Sequence, residues 1–348
     1  MKFFSFVGKV FLILLETVLI LCIALYGVMF ILCKGPSSTA RDLFVKSVKE
    51  TSAIGFLANI YLNGNEITEI MNSKEATAVS EMDTSLVNIA QSSDENISSG
   101  LADAWGLVDD DGDGIVIEEV HGSTYSGYMM VVYDPSRVIL GCNPGRFGSR
   151  GYTVEEMVER FGAVAGTNAG GFQDDAGMGD GSTPDTMVVF DYDSYYMGTR
   201  NSFVGIDGDG ILHVDCQDSA SIEKANIRWG CAYEQILVSN GKIVVDETKS
   251  SGLNPRTAIG QRSDGAILLL VIDGRHVVSL GATYYDEAEI MIKYGAVNAG
   301  NMDGGSSSLM YFNGEYVNNK AAVIGVRNIP TAWLVLPEGV DYSDLDLQ

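Results

Sequence analysis

From Val10 to Leu32 apolar side chains follow one another, broken by Glu16 and a few small polar residues. About twenty such residues are enough to cross a bilayer as a helix, so this run predicts a membrane span. Lys2 and Lys9 precede it and no small-x-small cleavage site is evident near Lys34. That is the pattern of an uncleaved signal anchor rather than of a removed signal peptide. Residues 35–100 then mix Ser, Thr, Asn and charge with short apolar runs such as Ile54–Ala58. They predict a helical stalk closed by the polar stretch Gln91–Gly100.

Beyond residue 100 the pattern becomes one of strands and turns. Gly114–Val120 and Tyr128–Tyr133 read as strands, the second stopped by Asp134-Pro135-Ser136. Met187–Phe190, Ser202–Ile206, Ile211–Val214, Ile236–Val238 and Ile243–Val245 follow, punctuated by Asp207-Gly208-Asp209-Gly210 and by Asn240-Gly241. Asn-Gly between apolar runs signals a tight hairpin. Ala266–Ile272 is an almost unbroken apolar run ending in Asp273-Gly274-Arg275, as in a central strand that delivers polar residues at its end. Two stretches keep helical spacing instead: Thr153–Arg160, with Val154, Met157 and Val158 on one side, and Asp286–Lys293, with Ile290 and Met291.

Those helices open two related units. Phe161-Gly162-Ala163-Val164 and Tyr294-Gly295-Ala296-Val297 lie 133 positions apart. Each is followed by a short strand pattern and an Asn with glycines behind it, Asn168-Ala169-Gly170-Gly171 and Asn301-Met302-Asp303-Gly304-Gly305. The repeat predicts pseudo-symmetric halves whose Asn/Gly loops face each other across a cleft. The expected fold is α+β, with strand-rich mixed sheets and packed helices behind one transmembrane helix. Expected boundaries are 1–34 for the cytoplasmic tip and anchor, 35–100 for the stalk and 101–340 for a catalytic-sized domain.

Composition narrows the chemistry. At 46% hydrophobic residues the 348-residue chain can bury a large core, and a net charge of −24 excludes a broad basic surface for nucleic acid. An anionic ligand must therefore be met by a few arginines in a small, shaped site. Three of the five cysteines lie beyond the span; Cys216 and Cys231 could pair in an exported domain, with buried thiols as the default. His121, His213 and His276 have no Ser or Cys partner in a known motif, and no Walker-type phosphate loop occurs. What remains is Asn168, Arg256, Asp273, Arg275, Asn301 and Asp303, beside glycines at expected strand ends where backbone N–H groups can approach a ligand.

Two acidic groups are candidate cation ligands. Asp109, Asp111 and Asp113 with Gly114 imitate the first half of an EF-hand loop, although its twelfth position is Val120 rather than Glu, and an acidic hairpin turn competes with that reading. Asp174 and Asp175 flank the first glycine loop. A divalent cation such as calcium is thus a candidate, while the chemistry considered below requires no cofactor.

Asn168-Ala169-Gly170-Gly171-Phe172, Asn254-Pro255-Arg256-Thr257-Ala258-Ile259-Gly260, Val271-Ile272-Asp273-Gly274-Arg275 and Asn301-Met302-Asp303-Gly304-Gly305-Ser306-Ser307-Ser308 stand in the order and approximate spacing of the phosphodiester glycosidases. The chain resembles that family from about Glu118 to Leu336, and Ile329-Pro330-Thr331-Ala332 looks like its closing strand. It departs where the family has glycine after a proline, since Pro184 is followed by Asp185-Thr186.

The resemblance implies hydrolysis of a sugar-1-phosphodiester, of the N-acetylglucosamine-1-phosphodiester kind, in an envelope glycopolymer or glycoconjugate. Asp303 would activate water or attack the anomeric carbon, with Asp273 as the second carboxylate, as acid, base or orienting group. Arg256 and Arg275 would clamp the phosphate. Asn168 and Asn301 would bind sugar hydroxyls or hold the carboxylates, and Thr257, Gly170, Gly171, Gly304, Gly305 and Ser306 would complete the binding loops. A non-catalytic polysaccharide-binding or assembly protein and a calcium-dependent adhesion module are the competing readings. Lys34, Arg41, Lys46 and Lys49 would alone favour a cytoplasmic C-terminal side; the envelope chemistry instead implies a single-pass cell-membrane protein with its C-terminal domain outside.

Overall fold

The computed structural model describes residues 2–51, 54–73, 79, 81–89, 102–143, 147–174, 179–185, 187–196, 202–216, 218–319 and 325–345. The expected Gln91–Gly100 boundary and Asp175 lie outside the described residues. The chain divides into two compact units, 1–74 and 75–348.

The first unit is helical. α1 (Lys2–Lys34) includes a segment, Phe6–Lys34, of mean hydropathy 2.5, long and apolar enough to cross a membrane. α2 (Ser38–Lys49) is capped by Ser37, and α3 (Gly64–Asn72) by Asn63, which forms a capping box with Glu66. Val45, Val48, Ala58, Leu62, Ile67 and Ile70 bury with Cys33 in a small core of their own.

The second unit takes up the chain after residue 79: the N–H groups of Met82, Asp83 and Asn88 bond to the Asp215 carboxylate, the Asn240 side chain and the Ser263 carbonyl. Among its described residues are three antiparallel sheets. Numbered in chain order, the seven-stranded sheet contains β1 (Ile115–His121), β2 (Ser126–Val132), β10 (Ile236–Ser239), β11 (Lys242–Ile243), β12 (Arg256–Arg262), β13 (Ile267–Ile272) and β14 (Ala296–Met302). Its order is β1-β2-β13-β12-β14-β10-β11. As its apolar run predicts, β13 is central and buried throughout.

A five-stranded sheet of β3 (Val138–Cys142), β4 (Ala165–Asn168), β15 (Met310–Phe312), β16 (Glu315–Tyr316) and β17 (Thr331–Val335) has the order β16-β15-β4-β17-β3. The third sheet joins β5 (Val188–Phe190), β6 (Asp193–Tyr196), β7 (Phe203–Asp207), β8 (Leu212–His213) and β9 (Ile227–Ala232) as β6-β5-β9-β7-β8. Side chains from all three sheets share one large core.

The half-repeat is visible in the backbone. α4 (Val154–Arg160) starts at a capping box of Thr153 with Glu156, and α6 (Tyr284–Lys293) starts at the equivalent box of Thr283 with Asp286. α5 (Ser219–Lys224) lies between them in the chain. α4 packs on β4, β15 and β17, while α6 packs on β10, β12 and β14. The Asn240-Gly241 turn has positive φ at both residues, 51° and 70°, as the hairpin reading requires.

Because β12 runs antiparallel to both β13 and β14, its first residues share an edge with the last residues of the other two. Asn168 at the end of β4 sits opposite Ala332 near the start of β17. The first loop is joined to the β14 edge directly: the Asp303 N–H donates to the Ala169 carbonyl at 2.9 Å.

Candidate active site

Asp303 follows β14 and is positioned from two sides. Its backbone carbonyl accepts the Asn168 amide at 2.6 Å. Burial pushes its carboxyl group up from 3.8 to about 6, and Asp185 adds to this; the Ser307 hydroxyl, Arg327 and the Gly304 N–H pull the other way. A carboxyl group of that affinity exchanges protons near neutral pH.

Arg327 and Arg275 act on this carboxylate, and Arg256 acts on Arg275. Arg256, 4% exposed, donates Nε to the Ala282 carbonyl at 3.0 Å and Nη2 to the Ser251 hydroxyl and Gly252 carbonyl at 2.7 Å each. Its guanidinium lies 4.3 Å from the Tyr284 ring centre. Arg275 adopts a left-handed backbone, φ 61°, at the turn after β13, and its Nη2 lies 3.1 Å from where a Cβ on Gly305 would sit. Glycine at 305 therefore lets this guanidinium lie over the loop. Enclosure, then repulsion from Arg256 and Arg327, lowers the proton affinity of Arg275, while Asp303 opposes this. Arg275 thus feels Arg256, Arg327 and the Asp303 carboxylate, and Arg327 acts on that carboxylate in turn.

Arg327 is the member that sequence reasoning missed. It donates Nη1 to Asp174 at 2.7 Å and to the Ser306 hydroxyl at 3.3 Å, donates Nη2 to the Gly179 carbonyl at 3.3 Å, and lies over the Phe172 ring at 4.9 Å. The signal was weak, an isolated Arg three residues before Pro330. Asp174, expected as a cation ligand, is held below its ordinary pKa by Arg327 and the Gly179 N–H despite burial. Its carboxylate is engaged by an arginine.

Other expected residues brace this cluster from within the fold. Asn168 is fully buried, and its Oδ1 accepts the Thr257 hydroxyl at 2.8 Å and the Leu309 N–H at 3.1 Å. Both side chains brace the Asp303 loop, which favours the holding role for Asn168 over contact with sugar hydroxyls. Gly170 and Gly171 are tied by N–H bonds to the Thr331 hydroxyl and Ala232 carbonyl. Gly305 donates its N–H to the Pro255 carbonyl, anchoring the Gly304-Gly305 turn to the start of β12.

Asp273, 2% exposed, accepts the Asn318 side chain at 3.0 Å and the Asn319 N–H and side chain at 3.1 and 2.8 Å. This geometry suits an orienting group that ties the 273–275 turn to the loop at 318–319. Asn301 is paired with Ala258 across β12 and β14 on the face covered by α6, with both amide atoms buried and unbonded.

The turn at Asp109, Asp111 and Asp113 brings three carboxylates within 4.8 Å. Asp109 accepts the Gly112 and Gly114 N–H groups at 2.9 Å each, and Asp113 accepts the Ile115 N–H at 2.8 Å. These bonds close the turn that enters β1. Cys142, Cys216 and Cys231 are buried free thiols, so the candidate Cys216–Cys231 disulfide is absent.

Comparison with known proteins extends this picture. The sequence profile of the phosphodiester glycosidases matches residues 161–336. The SPbeta prophage-derived uncharacterized protein YomE of Bacillus subtilis (strain 168) is 32% identical over 192 residues, covering 53% of this chain and 30% of that protein. N-acetylglucosamine-1-phosphodiester alpha-N-acetylglucosaminidase of Bos taurus is 27% identical over 215 residues, covering 54% and 39%. The chain thus spans two fifths or less of the length of these relatives. The zebrafish N-acetylglucosamine-1-phosphodiester alpha-N-acetylglucosaminidase catalytic domain, auto-inhibited by its pro-peptide, superposes with a TM-score of 0.52 at 21% identity, over 64% of this chain and 82% of that one. That likeness is one of fold.

Proposed function

Because the chain belongs to the phosphodiester glycosidase family, we propose that its larger unit hydrolyses the glycosidic bond of a sugar-1-phosphodiester. The observation that carries this reading is the convergence of Arg275 and Arg327 on Asp303, with Arg256 acting on Arg275, in a protein of net charge −24. Such a cluster is costly to assemble without an anion to meet it, and guanidinium matches phosphate oxygens in pairs.

A phosphate monoester leaves more readily than an alkoxide, so the site needs little beyond charge management at the leaving group and a proton acceptor for water. The arginines stabilise the departing phosphate. Asp303, titrating near 6, takes the proton of water attacking the anomeric carbon. Asn168 and Thr257 fix the Asp303 loop, and Asp273 fixes the turn that carries Arg275. The bovine relative is named for N-acetylglucosamine-1-phosphodiester, and that sugar in an envelope glycopolymer or glycoconjugate is the first substrate to try. In this reading α1 anchors the protein in the cell membrane and the larger unit works outside it.

The test is release of free sugar from a panel of sugar-1-phosphodiesters by the full chain in detergent. Asp303→Asn is expected to abolish release while leaving the fold intact. Sugar-phosphate binding without turnover by the wild type would instead favour a non-catalytic carbohydrate-binding protein.

A further inference from the structure

The loop Ala169-Gly170-Gly171 carries a carboxylate at each end. Asp303 donates its backbone N–H to the Ala169 carbonyl at 2.9 Å, and Asp185 donates its own to the Gly171 carbonyl at 3.1 Å. Two residues of chain hold those carbonyls no more than about 7 Å apart. The loop is fixed: the Ala169 N–H donates to the Thr331 carbonyl at 3.2 Å, the Gly170 N–H to the Thr331 hydroxyl at 3.0 Å and the Gly171 N–H to the Ala232 carbonyl at 3.3 Å. The Asp185 side chain closes against it. A Cβ on Gly171 would come within 2.9 Å of Asp185 Oδ1 and 2.6 Å of the Tyr233 ring, so glycine is what admits the carboxylate there.

We propose that Asp185 is a positioning residue for Asp303: fixed on the same glycine loop, its negative charge strengthens Asp303 as a base. This rests on the hydrolase reading and gives that site a second carboxylate, in the place the sequence pattern offered to Asp273. The groups acting on Asp303 come from several elements. Ser307 and the Gly304 N–H belong to its own loop, Arg327 with its partner Asp174 approaches from one side, and Arg275 from the turn after β13, with Arg256 beneath Gly304. Burial does most to strengthen the carboxylate as a base; the hydroxyl, Arg327 and the N–H favour its ionised form, and Asp185 opposes those three. In the reaction, the water oxygen bonds to the anomeric carbon as the bond from that carbon to the phosphoryl oxygen breaks. The electron pair leaves on the phosphate monoester, and the proton of water passes to Asp303.

The test titrates Asp303 directly, in the full chain in detergent with aspartate carboxyl carbons labelled with 13C and the Asp303 signal identified by its loss in Asp303→Asn. Asp185→Asn keeps the side-chain size and the backbone bond to Gly171. It is expected to lower the titration midpoint by on the order of one pH unit, with Asp185→Glu returning it toward wild type and Asp273→Asn leaving it in place. The acidic limb of kcat/KM should move with the midpoint. An unmoved midpoint in Asp185→Asn, with the amide spectrum otherwise preserved, overturns the proposal, as does an equal shift in Asp273→Asn. The titration is read without substrate, so failure of the wild type to turn over any phosphodiester sinks the hydrolase reading and leaves this measurement decisive for Asp185.

Discussion

The Asn168 amide donates to the backbone carbonyl of Asp303 at 2.6 Å, joining the last residue of β4 to the residue that follows β14. Two loops that the sequence presents as repeats 133 positions apart therefore meet through this side chain as well as through the Asp303–Ala169 backbone bond. Asn168 also accepts the Thr257 hydroxyl and the Leu309 N–H, so a single buried amide bonds groups from three further parts of the chain.

Asn168→Ala removes all three bonds and leaves buried groups without their partner. A loss of about 2–4 kcal/mol is expected, measured by denaturant unfolding of the full chain in detergent. A variant as stable as wild type would show that the loops are held by other contacts.

Arg327 is expected to matter to anion affinity as much as the arginines read from motifs. Arg327→Lys keeps a charge but loses the planar fork that reaches Asp174 and Ser306 and lies over Phe172. Affinity for a sugar phosphate, by calorimetry, should fall roughly 10- to 100-fold, the equivalent of about 1.5–3 kcal/mol for a charged hydrogen bond. Wild-type affinity in the variant would remove Arg327 from the site.

The raised proton affinity of Asp303 has a thermodynamic consequence. Its folded pKa, about 6, lies above its ordinary 3.8. The folded state thus holds the proton more tightly, and the associated stability is full below about 3.8 and lost as pH rises through about 6. Asp303→Asn should therefore unfold at higher temperature than wild type at pH 7.5, and the gap should shrink toward pH 4. A pH-independent difference would argue that ionisation of Asp303 is not the cause.

Glu287 should show the same sign. It is fully buried on α6, both carboxyl oxygens lack a hydrogen-bond partner, and burial holds its pKa well above the ordinary value against the pull of Arg256. Met291, one turn along the helix, approaches Gly260, whose partner across the strands is Ala299. Glu287→Met is expected to stabilise the protein at pH 8 by about 1–4 kcal/mol, and thermal melts of the two proteins should converge near pH 4. Destabilisation at both values would mean that Glu287 has a bonded partner in solution.

Much of this was legible in the residues themselves. The β13 run and the Asn240-Gly241 hairpin were readable because period, length and turn chemistry are local properties of a chain. The paired helices at Val154–Arg160 and Tyr284–Lys293 were readable for the same reason, with threonine caps that sequence analysis did not use. β12 was less so: Arg256–Arg262 mixes Arg, Thr, Gly and Gln and reads as a strand only once its neighbours bury it on both faces. The hairpin between β15 and β16 was overlooked, although Asn313-Gly314 carries the same turn chemistry.

By itself the sequence determined the apolar N-terminal helix, the strand-rich larger unit, the acidic background and the family motifs, all of which depend on short-range pattern or on totals. The tertiary structure decided which polar residues act on one another. It brought Arg327 from 24 positions beyond Asp303 to act on that carboxylate, set Asp185 on the same loop, and turned Asp273 and Asn168 inward as braces. Burial and neighbouring charge fix what an ionisable group can do, and both arise from segments far apart in the chain that only the closed sheets bring together.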